Sequence, residues 1–220
     1  MAKVSFLDQE HVRLINEPET ELAFEDNPNK RIGILGGTFN PIHNGHLLMA
    51  EQVYDKLKLD EVWFMPNKKP PHAETKETLD DAYRVDMIEL AIQDNPHFSL
   101  EAIELDRVGK SYTVDTMEIL TTLYPTYEFY FIIGADMIEN LPKWHRIDDL
   151  IKIVHFVGVG REGYQNDTDY PLIFVDAEGM TVSSTGIRKS VAEKASIRYL
   201  TPEPVVAYIQ EKGLYQAHES

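Results

Sequence analysis

The sequence predicts an α/β protein, a doubly wound and mostly parallel sheet with helices on both faces. Three observations predict it. Short apolar runs alternate along the chain with stretches of helical periodicity. The runs are rich in β-branched and aromatic residues, as in Glu61–Met65 and Glu128–Ile133. A glycine-rich turn, Gly36–His46, joins the first such run to the first strong helical period.

Taken in order, residues 1–29 stand apart: they are acidic, carry Pro18 and Pro28, and lack a sustained apolar period. They read as an acidic N-terminal extension to a domain covering 30–220. Phe6, Leu7, Leu14 and Ile15 predict a short helix on the surface, and a tail and a packed appendage are both open. Arg31–Leu35 predicts a buried strand, and Leu47, Ala50, Val53, Tyr54 and Leu57 mark one face of a helix. Glu61–Met65 predicts the next strand. Pro70–Pro71 then imposes an extended path. Val85, Ile88, Ala91 and Ile92 mark a second helix, ended by Asn95–Pro96. Phe98–Ile103 predicts a strand and Thr113–Leu123 a helix, with Ser111 or Thr113 as its cap. Glu128–Ile133, Ile151–Val159 and Leu172–Val175 predict three more strands, the first stopped by Gly134. Val182 leads into S-S-T-G-I-R, a second helix start, and Pro204–Lys212 predicts a final helix closed by Gly213. This alternation is that of a Rossmann-like sheet, whose ligands bind beyond the carboxyl ends of the strands. Gly36–His46, Gly134–Asp136 and Val182–Arg188 all fall at such ends.

Composition narrows the function. At 220 residues and 43% hydrophobic, the chain can bury one sizeable core. There is no apolar run long enough to span a bilayer and no signal-peptide pattern at Met1. The absence of cysteine excludes disulfides and thiolate metal sites and fits a cytoplasmic enzyme. A net charge of -16 argues against a protein that coats nucleic acid or anionic membrane. An anionic substrate must therefore be met by local donors.

Gly36–His46 offers such donors. The first N–H groups of a helix are unpaired, and the helix dipole adds positive potential there. Gly36 and Gly37 let backbone approach a ligand that a Cβ would block. His43 and His46 stand about one turn apart beside those N–H groups, which suggests nucleotide chemistry. An ordinary turn with incidental histidines is the alternative. Ser183–Arg188 reads either as a simple helix cap or as a second anion site, with Arg188 offering a planar fork of donors. Two such sites suit a triphosphate. Trp144 is a packing residue or a stacking platform, Lys143 meets phosphate or solvent, and Asp136 after Gly134 meets a ribose, a metal or a helix end. His72, His97, His145 and His155 lack metal-ligand spacing. Neither a Ser-His-Asp arrangement nor a Walker-type phosphate loop is present.

With G-G-T-F-N-P-I-H-N-G-H near one end and S-S-T-G-I-R near the other, the chain resembles the nucleotidyltransferase superfamily. Within it, the chain is similar to the bacterial nicotinate mononucleotide adenylyltransferases from about Arg31 to Tyr215. E-V-W-F-M-P-N-K-K-P-P-H, G-K-S-Y-T-V-D-T, F-I-I-G-A-D-M and L-P-K-W carry the narrower match. The resemblance implies transfer of AMP from ATP to nicotinate mononucleotide, giving deamido-NAD and pyrophosphate. It implies that Gly36, Gly37, Thr38, Phe39, His43 and His46 hold the ATP phosphates, and that Ser183, Ser184, Thr185 and Arg188 hold the far end of the triphosphate. His43, His46 and Arg188 would be the catalytic groups. Ser111, Tyr112 and Thr113 would take the nicotinate carboxylate, and Trp144 would stack on the pyridine, with Gly134, Asp136 and Lys143 nearby. Mg²⁺ would come with ATP. Neither nucleic acid nor membrane is an implied partner, and a homodimer is allowed. Many relatives carry Asp where this chain has Asn40, and a basic residue where it has Ala73. Sibling adenylyl- and cytidylyltransferases fit the L-P-K-W and S-Y-T segments poorly. Nicotinamide mononucleotide as acceptor, a non-catalytic sensor on the same scaffold and a synthetase-like ATP site are the other readings.

Overall fold

The structure, a computed structural model, describes residues 12–16, 28–68, 78–107, 112–160, 168–179 and 181–216. Its strands are β1 (Val12–Ile15), β2 (Lys30–Gly37), β3 (Glu61–Pro66), β4 (Phe98–Leu100), β5 (Tyr127–Gly134), β6 (His155–Gly160) and β7 (Leu172–Asp176). They form one sheet in the order β1-β7-β6-β5-β2-β3-β4. Every pair from β7 to β4 is parallel, and β1 alone runs antiparallel. The helices are α1 (Asn44–Leu57), α2 (Asp81–Ile92), α3 (Ile103–Asp106), α4 (Thr113–Leu123), α5 (Ala135–Ile138), α6 (Ile147–Leu150), α7 (Ser184–Ala192) and α8 (Glu203–Glu211). Leu141–Lys143 makes a 3₁₀ turn.

Successive side chains of a strand point to opposite faces, and here both faces are covered. Val62 and Phe64 of β3, with Tyr130 and Ile132 of β5, pack under α1, α2 and α8. Trp63 and Met65, with Phe129, Phe131 and Ile133, pack under α4, α5 and α6. Each fully buried aliphatic or aromatic side chain contributes about 1.5–3 kcal/mol relative to exposure. Gly33 lets the segment after α1 close on the sheet, for a Cβ there would lie 2.9 Å from Leu59 Cδ1. From β2 the chain turns to β3 and β4 on one side, then returns as β5 on the other. The strand order thus reverses between β2 and β5. At such a point the connections diverge, and a crevice opens above the carboxyl ends.

Three predicted elements differ. Leu14 and Ile15 lie in an edge strand, not in a surface helix, because Val12–Ile15 finds ladder partners on β7. Arg13 fixes it there, reaching Asp176 at 3.0 Å and covering the Phe174 ring at 4.5 Å. Residues 12–15 of the acidic extension therefore belong to the sheet, whereas Phe6 and Leu7 lie outside the described residues. Strand pairing stops at Leu100, where the Glu101 carboxylate takes the Ile103 N–H at 2.9 Å and a short helix begins. Ile151–Ile153 completes the turn after α6, and β6 begins only at His155. A short apolar run cannot by itself separate a buried helix end from a strand. Among the described residues no helix is long and apolar enough to cross a membrane.

Candidate active site

The end of β2, the turn after it and the start of α1 lie at the carboxyl ends of the strands, where the strand order reverses. Gly36 and Gly37 let the rings of Phe131 and Phe39 pack close against the backbone. A Cβ on Gly36 would lie 3.2 Å from Phe131 Cζ, and one on Gly37 3.1 Å from Phe39 Cζ. Phe39 takes the left-handed backbone region (φ 48°) and buries its ring against Phe64 and the edge of His46. The turn's carbonyls are engaged from all sides. Gly37 O accepts the Asn67 N–H, Thr38 O accepts Arg84 Nη1 at 2.7 Å, and Asn40 O accepts Arg188 Nη1 at 2.7 Å. Pro41 O accepts Ser184 Oγ and Ile42 O accepts Thr201 Oγ1, both at 2.8 Å. Lone pairs that would repel an anion are thereby occupied, and the turn is braced by α2, α7 and the segment before α8.

His43 caps α1, and His46 stands on its first turn. Their rings stack with centroids 3.6 Å apart. The His43 N–H donates to His46 Nδ1 at 3.2 Å. A neutral imidazole has one donor and one acceptor nitrogen, so His46 carries its proton on Nε2. Burial pushes His43 down to about 4. Burial, helped by the neighbouring His43, pushes His46 down to about 3. Both are neutral near pH 7. His43 Nδ1 is buried with no hydrogen-bond partner among the described residues, an arrangement that costs free energy.

The pair also makes stability depend on pH. Unfolded histidine titrates near 6.5. From there down to about 4 the unfolded chain binds protons that the folded chain refuses. Stability from these residues is complete above 6.5 and falls as the pH drops. The expected loss is on the order of 4 kcal/mol for the pair between pH 7 and pH 5. Urea midpoints at the two pH values check it, and the difference should shrink when His43 and His46 are both replaced by Gln.

The N-terminus of α7 closes the second side. Ser183 is its cap, accepting the Gly186 N–H at 3.1 Å, so the simple capping reading describes its side chain. Ser184 and Arg188 reach the turn instead, and Arg188 Nη2 also donates to Thr185 Oγ1 at 3.2 Å. The two predicted anion sites are thus joined. On the third side Gly134 ends β5 and Asp136 lies exposed on α5, its Oδ1 2.6 Å from where a Gly134 Cβ would be.

Phe131 links the turn to Trp144. It lies beneath Gly36 and meets Trp144 edge-on at 5.8 Å, and Phe156 meets Trp144 at 5.7 Å. Trp144 is half-buried, held at its edges by phenylalanines. Tyr112, at the start of α4, packs in the same cluster and lies 4.2 Å from His145. Thr113 is the first residue of α4. Lys143 points its ammonium to Asn140 Oδ1 at 2.9 Å. Ser111 and residues 70–73, with the P-P-H segment and Ala73, lie outside the described residues. The same holds for any metal cage drawn from them. Among the described residues no three His, Asp or Glu side chains cluster as a metal-binding set.

A cytidylyltransferase-like family model matches residues 34–190, which contain the turn, both histidines and Arg188. The nicotinate-nucleotide adenylyltransferase of Bacillus subtilis (strain 168) is 50% identical over 188 residues, 86% of this chain and 100% of that protein. The chain belongs to the nicotinate-nucleotide adenylyltransferase family. A family member named as probable from Lactiplantibacillus plantarum is 48% identical over 211 residues, 94% of this chain. The fold is also that of the Plasmodium falciparum nicotinic acid mononucleotide adenylyltransferase solved in complex with NaAD. That structure superposes with a TM-score of 0.72 at 21% identity, over 84% of this chain and 97% of that one.

Three residues that brace the turn carry no mark of that role in the sequence. Arg84 lies within an amphipathic helical period, where an arginine reads as solvent-facing, yet it is fully buried. Thr201 and Tyr215 sit in no motif, and only their partners on the turn reveal them.

Proposed function

We propose that the chain transfers AMP from Mg²⁺-bound ATP to nicotinate mononucleotide, giving deamido-NAD and pyrophosphate in NAD synthesis. The observation that carries this reading is the anion cradle at the strand-order switch, flanked by two helix N-termini and a neutral His46 Nε2–H. Family membership supports it independently.

A phosphate oxygen of nicotinate mononucleotide attacks the α-phosphorus of ATP. The bond from that phosphorus to the bridging oxygen of the β-phosphate breaks, and pyrophosphate leaves with its Mg²⁺. No protein nucleophile is needed, and catalysis is positioning and neutralisation of charge. The Gly36, Gly37, Thr38 and Phe39 backbone cradles the triphosphate. His46 Nε2–H, His43 and Arg188 donate to the transferred and leaving phosphates. Thr185 and Ser184 complete the far end, with Ser183 holding the helix start that presents them. Mg²⁺ neutralises phosphate charge as part of the substrate.

On the acceptor side, Trp144 stacks its open surface on the pyridine ring. The start of α4, at Tyr112 and Thr113, offers backbone N–H groups to the nicotinate carboxylate, a contact the family resemblance also assigns to Ser111, which lies outside the described residues. Gly134 gives close passage beside the dinucleotide, Asp136 takes a ribose hydroxyl, and Lys143 adds local positive charge. A cytoplasmic location fits the cysteine-free chain and is proposed with the activity.

Pyrophosphate release from MgATP should be fast with nicotinate mononucleotide and slow with nicotinamide mononucleotide at equal concentration. Equal rates would remove the carboxylate site from this reading. No release with either acceptor, from a folded protein that binds ATP, would sink the transferase reading itself.

A further inference from the structure

The chain's last described residues reach back to its glycine-rich turn. After α8 the backbone turns at Gly213 (φ 62°), and Leu214 anchors there, 7% exposed, with its N–H on Ile209 O at 3.0 Å. Tyr215, itself at φ 62°, then extends its ring onto the core under α1 and α8. Its hydroxyl donates to Asn40 Oδ1 at 2.8 Å, across 175 residues of sequence. A non-glycine residue in the left-handed region is uncommon and persists only where the surroundings hold it.

Asn40 is 4% exposed, and two distant residues reach it. Arg188 holds its backbone carbonyl, while Tyr215 holds its side chain. The guanidiniums of Arg188 and Arg84 both face the Tyr215 hydroxyl closely enough to pull its ionisation down. Burial outweighs them and keeps the hydroxyl protonated, hence a donor. The two grips differ in permanence. Arg188 is the group that must turn toward the triphosphate, and in doing so it gives up part of its hold on Asn40 O. The Tyr215 hydroxyl has no such second task.

We propose that Tyr215 is a positioning residue: by holding the Asn40 side chain it keeps the phosphate turn in its binding shape while Arg188 engages the triphosphate. The inference rests on the reading of Gly36–His46 as the triphosphate cradle. It makes the C-terminal segment part of the ATP site, although no residue of that segment needs to touch ATP.

The test is a double-mutant cycle with Tyr215→Phe and Asn40→Ala, read by affinity for a non-hydrolysable ATP analogue, by KM for each substrate and by thermal melting. Tyr215→Phe keeps the ring and loses only the donor. Its affinity for the analogue should fall about tenfold, with KM for nicotinate mononucleotide within twofold of wild type. The double variant should be no weaker than Asn40→Ala alone. A purely structural tyrosine would instead lower the melting temperature and leave the ratio of the two KM values unchanged, which overturns the proposal. Additive losses overturn it too. Should Tyr215→Phe not fold, Asn40→Ala alone must show the same selective loss, and unchanged affinity there refutes it. A wild-type protein that fails to bind the analogue refutes the cradle reading, whereas equal binding by wild type and Tyr215→Phe refutes only the role of the tyrosine.

Discussion

His46→Ala is expected to lower turnover by about 10²–10³-fold, the loss seen when one preorganised donor is taken from a site of developing negative charge. The size follows from how His46 is held. Its Nδ1 is committed to the His43 N–H, its face to the His43 ring and its edge to Phe39. The ring therefore presents one donor, Nε2–H, in one orientation, with no reorganisation left for the transition state. Its Nε2–H is proposed to face oxygens on which further charge builds as the α-phosphorus is transferred, so its contribution is expected on kcat more than on substrate binding. His46→Gln, which restores an N–H donor on a looser arm, should recover part of the loss. Steady-state kcat with both substrates saturating is the measurement. Near wild-type turnover in His46→Ala, with an unchanged melting curve, would show that the donor plays no part in the chemistry.

Arg84→Met is expected to destabilise the fold by about 2–4 kcal/mol. Arg84 is a fully buried guanidinium on α2. Nη1 donates to Thr38 O at 2.7 Å and Nη2 to Asp81 at 2.5 Å, while Nε has no hydrogen-bond partner among the described residues. Methionine matches much of the volume and leaves Thr38 O without its donor. The Asp81 carboxylate stays partly solvated (38% exposed), which keeps the cost below that of a wholly buried orphaned charge. Because Thr38 O lies on the phosphate turn, ATP affinity should fall along with stability. Lysine should rescue poorly, for an ammonium cannot reach both acceptors in the fork geometry that Arg84 uses. Urea unfolding of wild type and variant measures the first effect. A change below about 0.5 kcal/mol would mean that the buried charge costs as much as its bonds return.

The alternation of apolar runs with helical periods was enough to predict strands β2 to β7, the helices α1, α2, α4, α7 and α8, and the three loops at the carboxyl ends of the strands, but not α3, α5 or α6. Those signals are local: side-chain period reports local geometry, and a glycine pair before H-x-G-H reports a turn and a helix start within a dozen residues. They failed where the deciding partner is distant. Nothing near Val12–Ile15 marks it as a strand, since its ladder bonds come from β7 and its clamp from Asp176. Ile151–Ile153 failed for a different, local reason: it reads as strand by composition, yet its N–H groups find carbonyls three or four residues back on α6, which a short apolar run does not reveal.

The candidate site divides along the same line. Sequence by itself supplied the candidates for substrate contact: the glycines, the two histidines and Arg188 lie in short motifs at helix starts, and Trp144 lies in a segment that the family resemblance picks out. Tertiary structure alone decided what holds those groups in place. Arg84, Thr201 and Tyr215 act through hydrogen bonds to Thr38, Ile42 and Asn40, and such bonds span tens to hundreds of residues and leave no period in the chain. It alone also assigned Ser183 to capping and fixed the His46 proton on Nε2, for both depend on which acceptor lies within 3.2 Å. A motif can specify the chemical groups of a site, but their orientation and protonation are set by neighbours that only folding brings near.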